Sequence, residues 1–258
     1  MVTEPRPAAD PPSPSRPSAG PLTGFGGQAD PAAKAALPAP TYVDFVCLRV
    51  DPGFRRLNHG ERAEAVIEFV RFVKDSGVEA RPYLTLGFRS DCDFFLWLIA
   101  KDLESFQGFM SGLLRTALGK WLHVAHSWVA VTKPSVYSKS HKQHFELGPS
   151  ANRYLFIYPF TKTHAWYQLP IEKRREMMGI HNEVGHQFPG VLINTCYQFG
   201  LGDNDFMLAF ECDDPREFSD LVQRLRETEA RIYTTTDIPL IPGTKQTIEE
   251  LAASLALA

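Results

Sequence analysis

The feature that most constrains this chain is an order of hydrophobic periods that occurs twice. Tyr42–Val50 is a β-branched run of strand character, and residues 61–76 then place Ala63, Val66, Ile67, Val70 and Val73 on one side of a helix. Residues 82–88 and 93–99 read as two strands. Residues 102–117 form a helix with Leu103, Phe106, Met110 and Leu113 on one face, and residues 121–131 close the unit as a strand. The order βαββαβ is the split-βαβ, or ferredoxin-like, arrangement. It repeats with strands at 153–160, 191–199, 205–212 and 231–236 and helices at 170–188 and 215–227. Pro170 suits the first helical position, the Gly200/Gly202 turn separates the middle strands, and Phe218, Leu221, Val222 and Leu225 line the second helix. The pattern predicts an α+β fold of tandem duplicated ferredoxin-like units, of the dimeric α+β barrel type. Each sheet has one face under helices, the other faces meet, and a ligand cavity lies between sheet and helix.

The units span residues 39–131 and 153–246. Residues 132–152 join them and are richer in His, Lys and Ser than a passive linker requires. Residues 247–258 read as a short exposed helix, and the Pro/Ala/Ser-dominated residues 1–38 as a disordered tail. A formal charge of -3 gives no basic face for nucleic acid. No apolar run approaches the roughly 18 residues of a membrane span. Cys47, Cys92, Cys196 and Cys212 form no CxxC pair and read as small buried hydrophobes. Isolated cysteines without a signal peptide point to the cytoplasm.

His181 is the first candidate for chemistry. Met177, His181, Val184 and Phe188 follow at i, i+4, i+7 and i+11, so the imidazole falls on the apolar stripe of its helix. Position alone leaves two readings open, a satisfied core histidine or a metal ligand. Strand alternation puts Tyr154, Phe156 and Tyr158 on one face, where aromatic residues are ordinarily core.

Several motifs together resolve this ambiguity. They are Tyr158-Pro-Phe-Thr-Lys162, Trp166-Tyr167-x-Leu169-Pro170, His181-x-x-x-Gly185, Leu86-Gly87-Phe88-Arg89-x-Asp91-x-Asp93 and Thr228-Glu229-Ala230-Arg231. With the duplicated βαββαβ pattern, they make the chain after residue 40 resemble the chlorite dismutase-like haem proteins, and within them the coproheme decarboxylase branch. The resemblance implies that His181 is the proximal iron ligand. It also implies a distal arginine thirteen residues later in chlorite dismutases and a glutamine in Firmicute decarboxylases, where this chain has Asn194. Asparagine cannot supply the fixed positive charge that would hold chlorite. The actinobacterial-type decarboxylases carry a distal histidine in Lys-Ser-His, seventeen residues before a catalytic tyrosine that itself precedes the proximal histidine by twenty-three. Lys139-Ser140-His141, Tyr158 and His181 keep both intervals.

What the resemblance implies is the peroxide-dependent conversion of iron coproporphyrin III (coproheme) to haem b, two propionates becoming vinyl groups. In it Tyr158 is the radical residue and His141 the distal acid–base group. Lys162, Trp166, Asn194 and Tyr137 contact the substrate, and Glu229 fixes the tautomer of His181. Lys139 and Arg153 are further candidate anchors for propionates. Arg89 and Arg231 read as structural ion-pairing residues, and Asp91 with Asp93 as turn-stabilising. The partners implied are coproheme and hydrogen peroxide, in a homopentamer. Two other readings are a chlorite-decomposing or peroxidase-like haem enzyme and a haem carrier without chemistry, though mere binding needs neither Tyr158 nor His141.

Overall fold

The computed structural model describes residues 39–137 and 142–257. The reading of residues 1–38 as a tail lies outside the described residues. The first unit is β1 (Tyr42–Val50), α1 (His59–Asp75), β2 (Glu79–Leu84), β3 (Phe94–Ala100), α2 (Glu104–Leu113) and β4 (Leu122–Val131). The second is β5 (Tyr154–Lys162), α3 (His164–Gln168), α4 (Ile171–His186), β6 (Leu192–Tyr197), β7 (Phe206–Cys212), α5 (Pro215–Arg226), β8 (Thr234–Thr236) and β9 (Ile241–Lys245), followed by α6 (Ile248–Leu257). The duplicated βαββαβ expectation holds.

Local chemistry sets the element ends. The Asn58 side chain accepts from the Glu61 N–H at 2.9 Å and Glu61 Oε2 accepts from the Asn58 N–H at 3.1 Å, a capping box that starts α1 at His59. Asp214 caps α5, with Pro215 in the first turn. Pro170 is the N-cap of α4 rather than its first helical residue.

Both sheets have the ferredoxin-like order, β4-β1-β3-β2 and β6-β7-β5-β9. They join at both edges, Val131 opposite Tyr197 at one seam and Tyr83 and Leu84 opposite Lys245 and Thr244 at the other. Eight strands therefore close into a ring, which leaves no long unpaired edge. Alternate residues of both sheets fill its interior, among them Phe45, Trp97, Leu155, Ile157, Met207, Ala209 and Ile241. Phe145, in a 3-10 turn (His144–Leu147) within the linker, inserts against Trp97 with ring centroids 5.0 Å apart. Part of the linker is thus core.

Two expectations are corrected. The strand expected at 231–236 is half 3-10 turn, with only Thr234–Thr236 extended, and the fourth strand of the second sheet is β9. Pro242 and Gly243 disguise it as a turn. Gly243 is required there, because an added Cβ would come within 2.6 Å of Phe95 and 2.8 Å of Tyr83. The C-terminal helix is not exposed: Ile248, Leu251, Ala252 and Leu255 are buried among the side chains of α1 and the first sheet. Their i, i+3, i+4, i+7 spacing makes a continuous apolar stripe.

Leu251 is fully buried, so Leu251→Ala is expected to destabilise the chain by about 2–5 kcal/mol. The check is a leftward shift of the urea midpoint at unchanged slope; no shift would mean that α6 does not dock in solution.

Candidate active site

The chemistry-bearing residues lie on the helix-covered face of the second sheet, not inside the ring. Leu155 and Ile157 occupy the interior, so alternation turns Phe156 and Tyr158 outward toward α4 and α5. The Tyr158 ring stacks on Phe210 of β7 at 5.6 Å and is 8% exposed. Burial pushes its phenol well above the usual range, and the nearby Asp237 carboxylate pushes it the same way. Asp237 is held by Arg231 at 2.9 Å and Arg226 at 3.4 Å, which gives Arg231 the ion-pairing role expected of it.

His181 lies on α4 between the buried Met177 and Val184. Burial pulls its imidazole down to about 4, and the positive charge of Lys162 adds to the effect. Its Nδ1 is buried and has no hydrogen-bond partner. The ring is therefore neutral at ordinary pH and keeps a nitrogen lone pair free for a metal, which fits the donor chemistry of a haem-type iron.

Lys162 ends β5. Its Nζ donates to the Ala230 carbonyl at 2.7 Å and lies 4.5 Å from the Trp166 ring centroid and 5.2 Å from that of Phe160. Burial lowers its ammonium to about 8, assisted by the Arg231 charge. Trp166, in the short α3 capped by Thr163, packs with Met177 and Ala230, and the Tyr137 ring meets its edge with centroids 6.5 Å apart. Ammonium and indole thus meet at 4.5 Å, the imidazole on α4 is near enough to feel the Lys162 charge, and the phenol shares a core cluster with Val184 of the same helix. Asp237 and Arg226 are neighbours that no motif signalled, because they belong to separate elements.

Other expectations are corrected. Asn194 is fully buried and faces the ring interior, since its neighbour Ile193 takes the α4 side. Its Oδ1 accepts from the Phe145 N–H at 3.0 Å and its Nδ2 donates to Glu211 Oε1 at 3.1 Å, so it fixes the linker to the second sheet on the face away from α4. Glu229 does not reach His181. Its carboxylate pairs with Lys173 at 3.6 Å, eight residues before His181 and about 12 Å along the helix axis. Arg153 stacks on Tyr154 at the far end of β5 from Lys162. His141 and Lys139 lie outside the described residues. Arg89 pairs with Asp91 at 2.6 Å, and Asp93 accepts from the Val50 N–H at 2.7 Å, both in the expected structural roles.

Residues 60–246 match the sequence profile of the family described as Chlorite dismutase. The chain belongs to the chlorite dismutase family. Within this family it is 34% identical to a coproheme decarboxylase of Mycolicibacterium smegmatis over 216 residues, 83% of this chain and 94% of that one. It is 28% identical to a chlorite dismutase of Ideonella dechloratans, covering 84% of this chain and 80% of the relative. The fold is similar to that of the chlorite dismutase of Candidatus Nitrospira defluvii solved in complex with imidazole. That likeness has a TM-score of 0.78 at 22% identity, with 84% and 95% of the two chains covered.

Asn194→Ala strips a buried N–H of its partner and leaves the buried Glu211 carboxylate with the Ser150 hydroxyl but without the amide. It is expected to cost about 1–3 kcal/mol of folding stability while leaving porphyrin affinity unchanged. Denaturation and absorbance titration of one preparation separate the two effects.

Proposed function

We propose that this chain is a coproheme decarboxylase, which uses hydrogen peroxide to convert iron coproporphyrin III to haem b. In each of two steps a propionate, one peroxide and one proton give a vinyl group, carbon dioxide and two waters. The observation that carries the reading is a buried phenol, Tyr158, on the strand that packs with α4, and on α4 a neutral imidazole, His181, whose buried nitrogen has no partner. The 34% identity to a protein named coproheme decarboxylase supports it. Against chlorite chemistry, position 194 is neither cationic nor turned toward the site.

His181 would hold the porphyrin iron, which supplies the oxidising power of peroxide when bound. Tyr158 gives up a hydrogen atom and, as a radical, takes one from the propionate β-carbon. Burial and Asp237 serve this role by keeping the phenol protonated, so that a hydrogen atom rather than a bare electron is available. Lys162 anchors a propionate carboxylate through a charge-assisted hydrogen bond, in exchange for its contact with Ala230. Trp166 and Tyr137 pack beside Lys162 at that end of the proposed site, and His141 is the proposed distal acid–base residue. The proposal includes a cytoplasmic homopentamer. Four buried free cysteines suit a reducing compartment, and no helix among the described residues is long and apolar enough to cross a membrane.

The deciding assay gives the apo-protein coproheme and peroxide and follows the porphyrin by mass. A three-propionate intermediate and then haem b are expected. Tyr158→Phe should lower kcat at least about 100-fold with coproheme affinity nearly unchanged; undiminished turnover would remove Tyr158 from the mechanism, and oxygen release from chlorite would favour the dismutase reading.

Lys162 gives the affinity a pH signature. Coproheme affinity should be level below about 8, where the lysine is charged, and fall as pH rises through that value. Lys162→Met should bind roughly tenfold or more weakly at neutral pH and lose that fall. An absorbance titration across pH checks both.

A further inference from the structure

Two buried nitrogens without hydrogen-bond partners lie on one stripe of α4. One is His181 Nδ1 and the other is Arg174 Nε. Arg174 precedes His181 by about two helical turns, so both side chains leave the same face. Between them on that face are Met177 and Met178, which pack with Trp166 and Tyr137. A third orphan is the Thr234 hydroxyl, on β8 across the ladder from Lys162. The reaction above uses His181, Lys162 and Trp166 but leaves Arg174 without a task.

Arg174 is half-buried, and a partly buried guanidinium without an acceptor is costly unless something supplies one. The neighbouring cations of the second unit are satisfied within the chain. Lys173 pairs with Glu176 at 3.2 Å and with Glu229 at 3.6 Å, and Arg226 and Arg231 share Asp237. Arg62 has the same orphaned Nε, but on α1 of the first unit. Helical side chains lean toward the N-terminus of their helix, which carries the Arg174 head toward α3. There the Tyr167 hydroxyl, donating to Asp205 at 2.6 Å, feels its charge. Tyr158 packs with Val184, beyond His181 in the other direction along α4.

We propose that Arg174 is a porphyrin anchor whose guanidinium takes a propionate carboxylate on the porphyrin edge away from Tyr158, one that survives both decarboxylations. Nε and one terminal nitrogen form a fork that a carboxylate fills with two parallel hydrogen bonds. Roughly 10 Å of helix separates Arg174 from His181, so with iron held at His181 the arginine meets the porphyrin's periphery and not its metal. Holding an edge that does not react decides which propionates face Tyr158. The inference rests on a porphyrin binding at His181, not on its decarboxylation.

The test titrates the full-length apo-protein with iron porphyrins and follows absorbance. Haem b, which keeps two propionates, is compared with its dimethyl ester, which has no carboxylate, and with coproheme. Arg174→Gln should weaken haem b and coproheme alike by roughly tenfold and leave the ester unchanged. Arg174→Lys keeps the charge but not the fork, and should bind haem b about threefold more weakly than wild type, again with the ester unchanged. Unchanged haem b affinity in either variant would overturn the assignment. So would an equal loss for haem b and its ester, which marks a structural role. If Arg174→Gln does not fold, the lysine variant decides alone. The coproheme-and-peroxide mass assay judges decarboxylation separately, because haem b binding responds to Arg174 whether or not turnover occurs.

Discussion

Everything in this structure depends on the closure of eight strands into one ring. Once both seams are paired, each residue of a strand faces either the dry interior or a helical layer, and a slip of one residue would exchange the two sets. The interior is filled by large rings, with Phe45 stacked on Trp97 at 5.1 Å and Tyr83 on Phe95 at 5.0 Å. These rings tolerate no such exchange. Tyr158 faces α4 because Ile157 belongs inside, and Asn194 is withheld from the site for the same reason.

The repeated order of periods was legible because the sheets are amphipathic in the ordinary way, and Tyr42–Val50 matches its strand residue for residue. Three failures have separate physical causes. β9 contains Pro242 and Gly243, residues that local propensity assigns to turns, and only the approach of Phe95 and Tyr83 explains the glycine. α6 was undervalued because a short apolar helix carries no mark of what covers it. Asn194 was placed by counting residues along the chain and Glu229 by its motif, and neither says on which face a side chain emerges. Tyr158 and His181, by contrast, sit on regular elements, a strand and a helix, whose periodicity fixes the face each side chain takes.

A shared electrostatic theme runs through the site. His181 is held neutral, Lys162 is brought to the edge of neutrality, and Tyr158 is held protonated, in each case chiefly by burial. Surroundings that disfavour charge on their own residues receive an anionic, carboxylate-bearing group only where an arginine or lysine is kept in reserve. Here Arg226 and Arg231 are occupied by Asp237 while Lys162 rests on a neutral carbonyl. A carboxylate reaching Lys162 displaces a weaker partner, not a salt bridge.

The docking of α6 on α1 has a consequence for how this chain is made. The helical layer of the first unit is completed by a segment synthesised more than a hundred residues after that unit's own last strand. On the ribosome the first unit must therefore wait with an apolar surface uncovered while the whole second unit emerges. The two halves, though alike in pattern, are not separable modules: the ring is not closed until β9 has arrived, and the first unit's outer layer is not finished until α6 has.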